Sequence, residues 1–183
     1  QDKISANLDA MKAMLYGDGE HEPKKENQTK LCDELLRTDL LIQLLQSISA
    51  IEFEAQKSVS QIFNYVAKNR KPEIVEFISK KHRNVLQLLV NGYDDAVFSR
   101  LCGSMLNEVI RIEELNLILL ETPSLFNPFF RYVQLSTFDV AADAFATFKN
   151  MLTKHPKQCA KFLEEHYDEV FSQYNGLLRS ESY

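Results

Sequence analysis

The sequence predicts an all-α protein, and three observations carry that prediction. Apolar residues recur at spacings of three and four almost from end to end, as amphipathic helices require. Turn residues are scarce: the 183 residues include five glycines and five prolines, and leucine outnumbers valine by 24 to 10. A sandwich or barrel needs turn signals every ~8–12 residues. The order of long, short and medium helix also repeats. The stretch Gln61 to Lys68 returns 43 residues on as Ser104 to Arg111, and again as Thr147 to Lys154, with apolar, asparagine and basic positions coinciding. A period of ~40–47 residues is that of armadillo and HEAT arrays. The expected fold is an armadillo/HEAT-like right-handed helical-repeat solenoid, in which each unit buries its apolar face on its neighbours. Residues 1–183 read as a single helical-repeat domain with no internal boundary.

Each element has a local cause. Ile4, Leu8, Met11 and Leu15 form the first apolar stripe, and Gly17, Asp18, Gly19 and Pro23 break the chain after it. Leu31, Leu35 and Leu36 mark a second helix. Thr38 or Asp39 is placed to cap a third, with Leu41, Leu44, Leu45 and Ile48 on its face. A long helix is expected over Phe53 to Asn69 around Val59, Ile62, Phe63 and Val66. Pro72 suits the first turn of a short helix reaching about Lys80. Val85 to Val90 follows, then a long helix through Phe98, Leu101, Met105 and Val109, with Asp94 and Asp95 as its expected caps. Leu115 to Leu120 is a short apolar helix that Thr122 and Pro123 stop. Phe126, Phe129, Phe130 and Val133 form the next. Ser136 with Asp139 reads as a capping box opening a long helix with Ala141, Phe145, Phe148 and Leu152. Pro156 begins a short helix through Cys159, Phe162 and Leu163, and Val170, Phe171, Tyr174 and Leu178 make the last.

Composition excludes several functions. A 45% apolar content argues against wholesale disorder. A net charge of −5 and a pI near 5.4 argue against a general nucleic-acid binder. No apolar run approaches the ~18 residues of a membrane span, and the opening residues lack the apolar stretch of a signal peptide. Cys32, Cys102 and Cys159 are odd in number and far apart, which favours a reducing, cytoplasmic setting over a disulfide framework.

Chemistry-bearing motifs are sparse. His155, Cys159 and His166 are the nearest approach to a metal set, but a zinc site needs three or four ligands in closed geometry and Pro156 interrupts the helix between the first two. The glycines form no phosphate loop, and no calcium loop fits. No catalytic residue, metal or cofactor is expected. Mid-helix Gly103 suggests a close helix approach. Lys80 to Arg83 is a basic run, either a solvated turn or a contact for an acidic partner. Phe129, Phe130, Phe145 and Phe148 fit core stripes. Phe138, off the main stripe in a first helical turn, fits either a core edge or an interface anchor.

The block from Phe129 to Lys149, which includes Ser136-Thr137-Phe138-Asp139, resembles the signature of the calcium-binding protein 39 (mouse protein 25) scaffold family. Met14 to Gly17, Phe53-Glu54 with Gln61 to Asn64, and Phe162 to Asp168 agree with it. The resemblance implies a solenoid without enzymatic activity. It implies binding and activation of a sterile-20-class kinase or pseudokinase through a concave face, in signalling and cell polarity, within a complex with liver kinase B. It makes Phe138 a partner contact, as it does Tyr183, the last residue of Ser180-Glu181-Ser182-Tyr183 in which Ser182 replaces an asparagine. Arg131, inside the signature block, is the third expected partner-binding residue. Neither nucleic acid nor membrane is an expected partner.

The departures from the pattern carry expectations too. Family members continue through further repeats that hold a groove for a Trp-Glu-Phe tail, so the chain reads as an N-terminal part and tail binding is expected to be absent. The Ala55-Gln56-Lys57 segment lacks one glycine and one lysine of the usual pattern, and the Val66 to Pro72 connection is about three residues short. A solenoid ending here leaves the Val170 to Leu178 helix uncovered, and self-association through it is expected. The competing functional reading is a helical-repeat adaptor that binds short peptides without activating any kinase.

Overall fold

A computed structural model describes residues 2–180, and most of them are helical, as expected. The chain divides into two compact units, with the boundary between Leu88 and Leu89.

The first unit contains α1 (Asp2–Tyr16), α2 (Lys25–Arg37), α3 (Leu40–Gln46), α4 (Phe53–Asn69) and α5 (Lys71–Glu76), with α6 (Asn84–Asn91) crossing into the second. Helix α1 packs on α4, and Leu8 and Leu15 of α1 and Val59, Ile62, Phe63 and Val66 of α4 are all buried. Gly17 ends α1 at φ +88°, a left-handed conformation that disfavours a side chain. The Tyr16 hydroxyl donates to the Gln61 carbonyl at 2.9 Å. Between α4 and α5 the connection is a single residue, Arg70, whose guanidinium joins Asp33 and Glu73, each at 2.6 Å. Pro72 lies in the first turn of α5 as expected, but the α-helix stops at Glu76 and the chain continues as a π turn over Phe77–Lys81.

The second unit contains α7 (Ser99–Ile110), α8 (Glu113–Glu121), α9 (Pro123–Phe126), α10 (Pro128–Tyr132), α11 (Phe138–Thr153), α12 (Pro156–Glu165) and α13 (Tyr167–Leu178). The helix expected around Phe126 to Val133 is two pieces, because Pro128 cannot continue a helix and instead opens a new one. Five phenylalanines cluster within the core of this unit. Phe126 meets Phe148 at 5.4 Å and Phe162 at 5.1 Å between ring centroids, and Phe148 also meets Phe129 at 5.8 Å and Phe130 at 5.0 Å.

The period read from the sequence returns as the separation between bonded residues. Tyr16 and Gln61 are 45 apart, Asp39 and His82 are 43 apart, Asn107 and Asn150 are 43 apart, and Asn127 and Gln173 are 46 apart. Two of these bonds span the 43-residue period itself, and the other two lie within three residues of it.

Three expected caps are not formed. Asp39 precedes α3 but adopts a left-handed backbone at φ 56° and makes no cap bond; its carboxylate accepts from His82 Nε2 at 2.9 Å. Thr38 closes the end of α2 instead, donating to the Glu34 carbonyl at 2.6 Å. Asp94 and Asp95 lie ahead of α7, whose N-cap is Phe98. Thr137, not Ser136, precedes α11, and it makes no side-chain cap bond. Asp139 is 3.2 Å from Arg100 Nη2. The Asp39, Asp94 and Asp139 carboxylates are used across the fold, where a cation or ring N–H offers a charge-assisted bond, whereas Asp95 accepts locally from the Val97 N–H at 2.8 Å.

Candidate functional site

Helix α11 has two unlike faces. Val140, Ala144, Thr147, Phe148 and Met151 are buried. Phe138, Ala141, Ala142 and Phe145, spaced as one stripe, turn away from that core. Phe138 is 81% exposed and Phe145 52% exposed. Phe145 is thus not the core residue that its spacing suggested. It follows Ala144 by one position, which rotates it about 100° from the buried face. With Leu135 and with Leu177 of α13, this stripe borders an apolar groove of about 780 Å³.

A polar network ties the other side of α11 to Tyr93, in the turn Gly92–Asp94 ahead of α7. The Tyr93 hydroxyl donates to Asp143 Oδ2 at 2.7 Å and lies 2.9 Å from Thr147 Oγ1. Burial raises the Tyr93 phenol well above its ordinary range, so it stays a neutral donor. Gly103 makes the approach possible: a methyl group there would collide with Asp143 Oδ2 and sit 2.6 Å from the Tyr93 oxygen. The close approach expected from a mid-helix glycine is real.

Arg131 sits on α10 with its side chain 58% exposed. Its Nη2 donates to Asp94 Oδ1 at 2.7 Å, and its guanidinium lies 4.5 Å from the centre of the Tyr132 ring. Tyr132 donates to Asp94 Oδ2 at 3.0 Å. Burial, reinforced by the Asp94 bond, pushes the Tyr132 phenol up to about 12. Arg131 is therefore reachable by solvent but already paired, and it lies outside the groove lining. Tyr183, with Glu181 and Ser182, lies outside the described residues.

The other singled-out residues have internal partners. His155 Nε2 donates to the Ile110 carbonyl at 2.8 Å, Cys159 is buried with its thiol 3.3 Å from the Met151 carbonyl, and His166 lies against the Phe162 ring. Among the described residues no group of three or more His, Cys, Asp or Glu is placed to hold a metal ion. Lys80 pairs with Glu76 and His82 with Asp39, while Arg83 donates to the Ser79 carbonyl. Much of the basic run is taken up by its own surroundings. The groove residues that sequence reasoning missed are Leu135, Ala142 and Leu177. Ala142 was accessible as the i+4 neighbour of Phe138; Leu177 enters only through the packing of α13.

The Mo25-like family profile matches residues 1–183. The chain belongs to the Mo25-like family. It is 43% identical over its whole length to human "Calcium-binding protein 39-like", of which the match covers 54%. It is 37% identical to "MO25-like protein 2" of Caenorhabditis elegans, across 94% of this chain and 51% of that one. It is 33% identical to a "Mo25-like protein" of Schizosaccharomyces pombe, across the whole chain and 56% of the relative. The chain spans about half the length of the curated relatives it matches. In this Mo25-like chain the departing Ala55-Gln56-Lys57 segment lies within α4. Ala55 and Gln56 are buried there, and the Lys57 ammonium rests 4.4 Å from the Phe53 ring centre. Among the described residues no helix is long and apolar enough to cross a membrane.

Proposed function

We propose that this chain belongs to a non-enzymatic, cytoplasmic scaffold that binds sterile-20-class kinase or pseudokinase domains and holds them in an active arrangement, in a complex that includes liver kinase B. The observation that carries the reading is the exposure of Phe138, 81%, in the first turn of α11 beside an open apolar groove. An exposed aromatic that a partner can bury in a desolvated pocket is the usual energetic centre of an interface. Activation without catalysis is a population shift: the scaffold binds the closed kinase better than the open one and moves the equilibrium by that difference. Phe138 is the anchor, with Arg131 and Tyr183 as further contacts. The reading treats residues 1–183 as a single helical-repeat domain. Self-association uses α13, where Tyr167, Tyr174 and Leu178 are 59%, 43% and 60% exposed.

The test is a titration of the chain into a purified sterile-20-class kinase domain, following binding and phosphoryl transfer together. Saturable binding with stimulation, both lost in Phe138→Ala, is the expected result. Peptide binding without kinase stimulation would favour the peptide-adaptor reading instead, and no binding to the kinase domain would remove the activator reading. Light scattering over a wide concentration range tests self-association; a constant monomer mass would refute it.

A further inference from the structure

Near the other end of α11, toward its C-terminus, α7 and α11 enclose a small polar pocket of about 170 Å³ lined by Asn107, Ile110, Arg111, Asn150 and Lys154. In the sequence its key pair recurs: an asparagine followed four residues later by a cation stands at Asn64 and Lys68, at Asn107 and Arg111, and at Asn150 and Lys154. Asparagine is a poor helix former, so helix propensity does not explain the recurrence.

Internal bonds explain part of it. Asn150 Nδ2 donates to Asn107 Oδ1 at 2.8 Å, while Asn107 Nδ2 donates to the Gly103 carbonyl at 2.9 Å and to Thr147 Oγ1 at 3.0 Å. These bonds occupy Asn107 but leave the Asn150 carboxamide oxygen and its second N–H open. Arg111 contacts Glu108 at 3.3 Å through one nitrogen, which leaves most of its donors unused. Lys154 makes no ion pair among the described residues. Cations at helix C-termini offset the negative end of the helix, which accounts for Arg111 and Lys154 singly. It does not account for the open carboxamide between them. The α7 end is also already served, since His155 binds the Ile110 carbonyl.

We propose that this pocket seats the carboxylate of an aspartate or glutamate side chain carried on an extended acidic segment of a partner protein. The Lys154 ammonium, the free Arg111 N–H groups and the Asn150 N–H donate to the carboxylate, and the Asn150 oxygen accepts a backbone N–H of the segment. The volume suits one such side chain and falls short of the roughly 300 Å³ at which small-molecule pockets begin. The chain as a whole carries −5, so its net charge disfavours an acidic segment and the attraction must come from local cations such as those of this pocket. The proposal does not depend on the kinase reading.

Fluorescence polarisation with a labelled hexa-glutamate peptide tests it, with hexa-glutamine as the neutral control. Lys154→Met, Arg111→Gln and Asn150→Ala are compared with Lys161→Met, which removes the same charge from an exposed site outside the pocket paired with Glu165 at 3.7 Å. Hexa-glutamate is expected to bind and hexa-glutamine not to bind. Each pocket variant is expected to weaken binding by about fivefold, the upper range for a solvent-reached charge pair, and Lys161→Met is expected to leave it unchanged. Equal loss in Lys161→Met, equal binding of the two peptides, or no hexa-glutamate binding at millimolar peptide would each overturn the proposal. Thermal melts of the variants separate lost binding from lost fold.

Discussion

Phe148 and Phe138 lie on one helix, ten positions apart, in opposite situations. Phe148 is 6% exposed and touches three other phenylalanine rings, whereas Phe138 is 81% exposed beside an open groove. Residue type and helix are shared, so neither decides the role. Azimuth around α11 and the elements packed on each side decide it. One face is covered by α7 and α10 and supplies stability. The other is left apolar and open, at a cost in hydration that a partner can recover. The contrast separates residues that build the fold from residues available to a second molecule.

The largest effect is expected at Phe148. Phe148→Ala removes the ring on which Phe126, Phe129 and Phe130 pack, and is expected to cost about 3–5 kcal/mol in denaturant unfolding. A cost near zero would mean that the two faces are equivalent. Gly103→Ala sharpens the picture of how α11 is seated. Despite alanine's better helix propensity, the methyl group must displace Asp143 or Tyr93, and a loss of about 1–3 kcal/mol is expected, also by denaturant unfolding.

The effect of pH is more gradual. Tyr132 has its folded-state pKa raised to about 12, above the unfolded value near 10. Its contribution is fully present below about pH 10 and is lost as pH rises toward 12. The melting temperature is expected to fall through that window, less steeply in Tyr132→Phe; identical slopes would count against it. Phe138→Ala has the smallest effect on folding, within about 0.5 kcal/mol as for a surface change, while weakening partner affinity by about 1–2 kcal/mol in a binding titration. A large stability loss there would assign Phe138 to the fold.

Much of this protein was legible in its sequence. The all-α class, nearly every helix, the 43-residue period and the close approach at Gly103 follow from local rules: helical spacing of apolar residues, proline at first turns, and glycine where no side chain fits. These rules act over a few residues, so the sequence determines them directly.

What the tertiary structure alone decided lies at longer range. Asp39, Asp94 and Asp139 look like helix caps when only near neighbours are considered. Each instead bonds a side chain roughly one repeat away: His82, Arg131 with Tyr132, and Arg100. A cap bond and a charge-assisted bond across the fold are worth similar amounts, so the choice falls to geometry that spacing does not contain. Phe145 has the same explanation. Its period is compatible with the core, but only the placement of α7, α10 and α13 fixes which arc of α11 is covered and which is left as the groove.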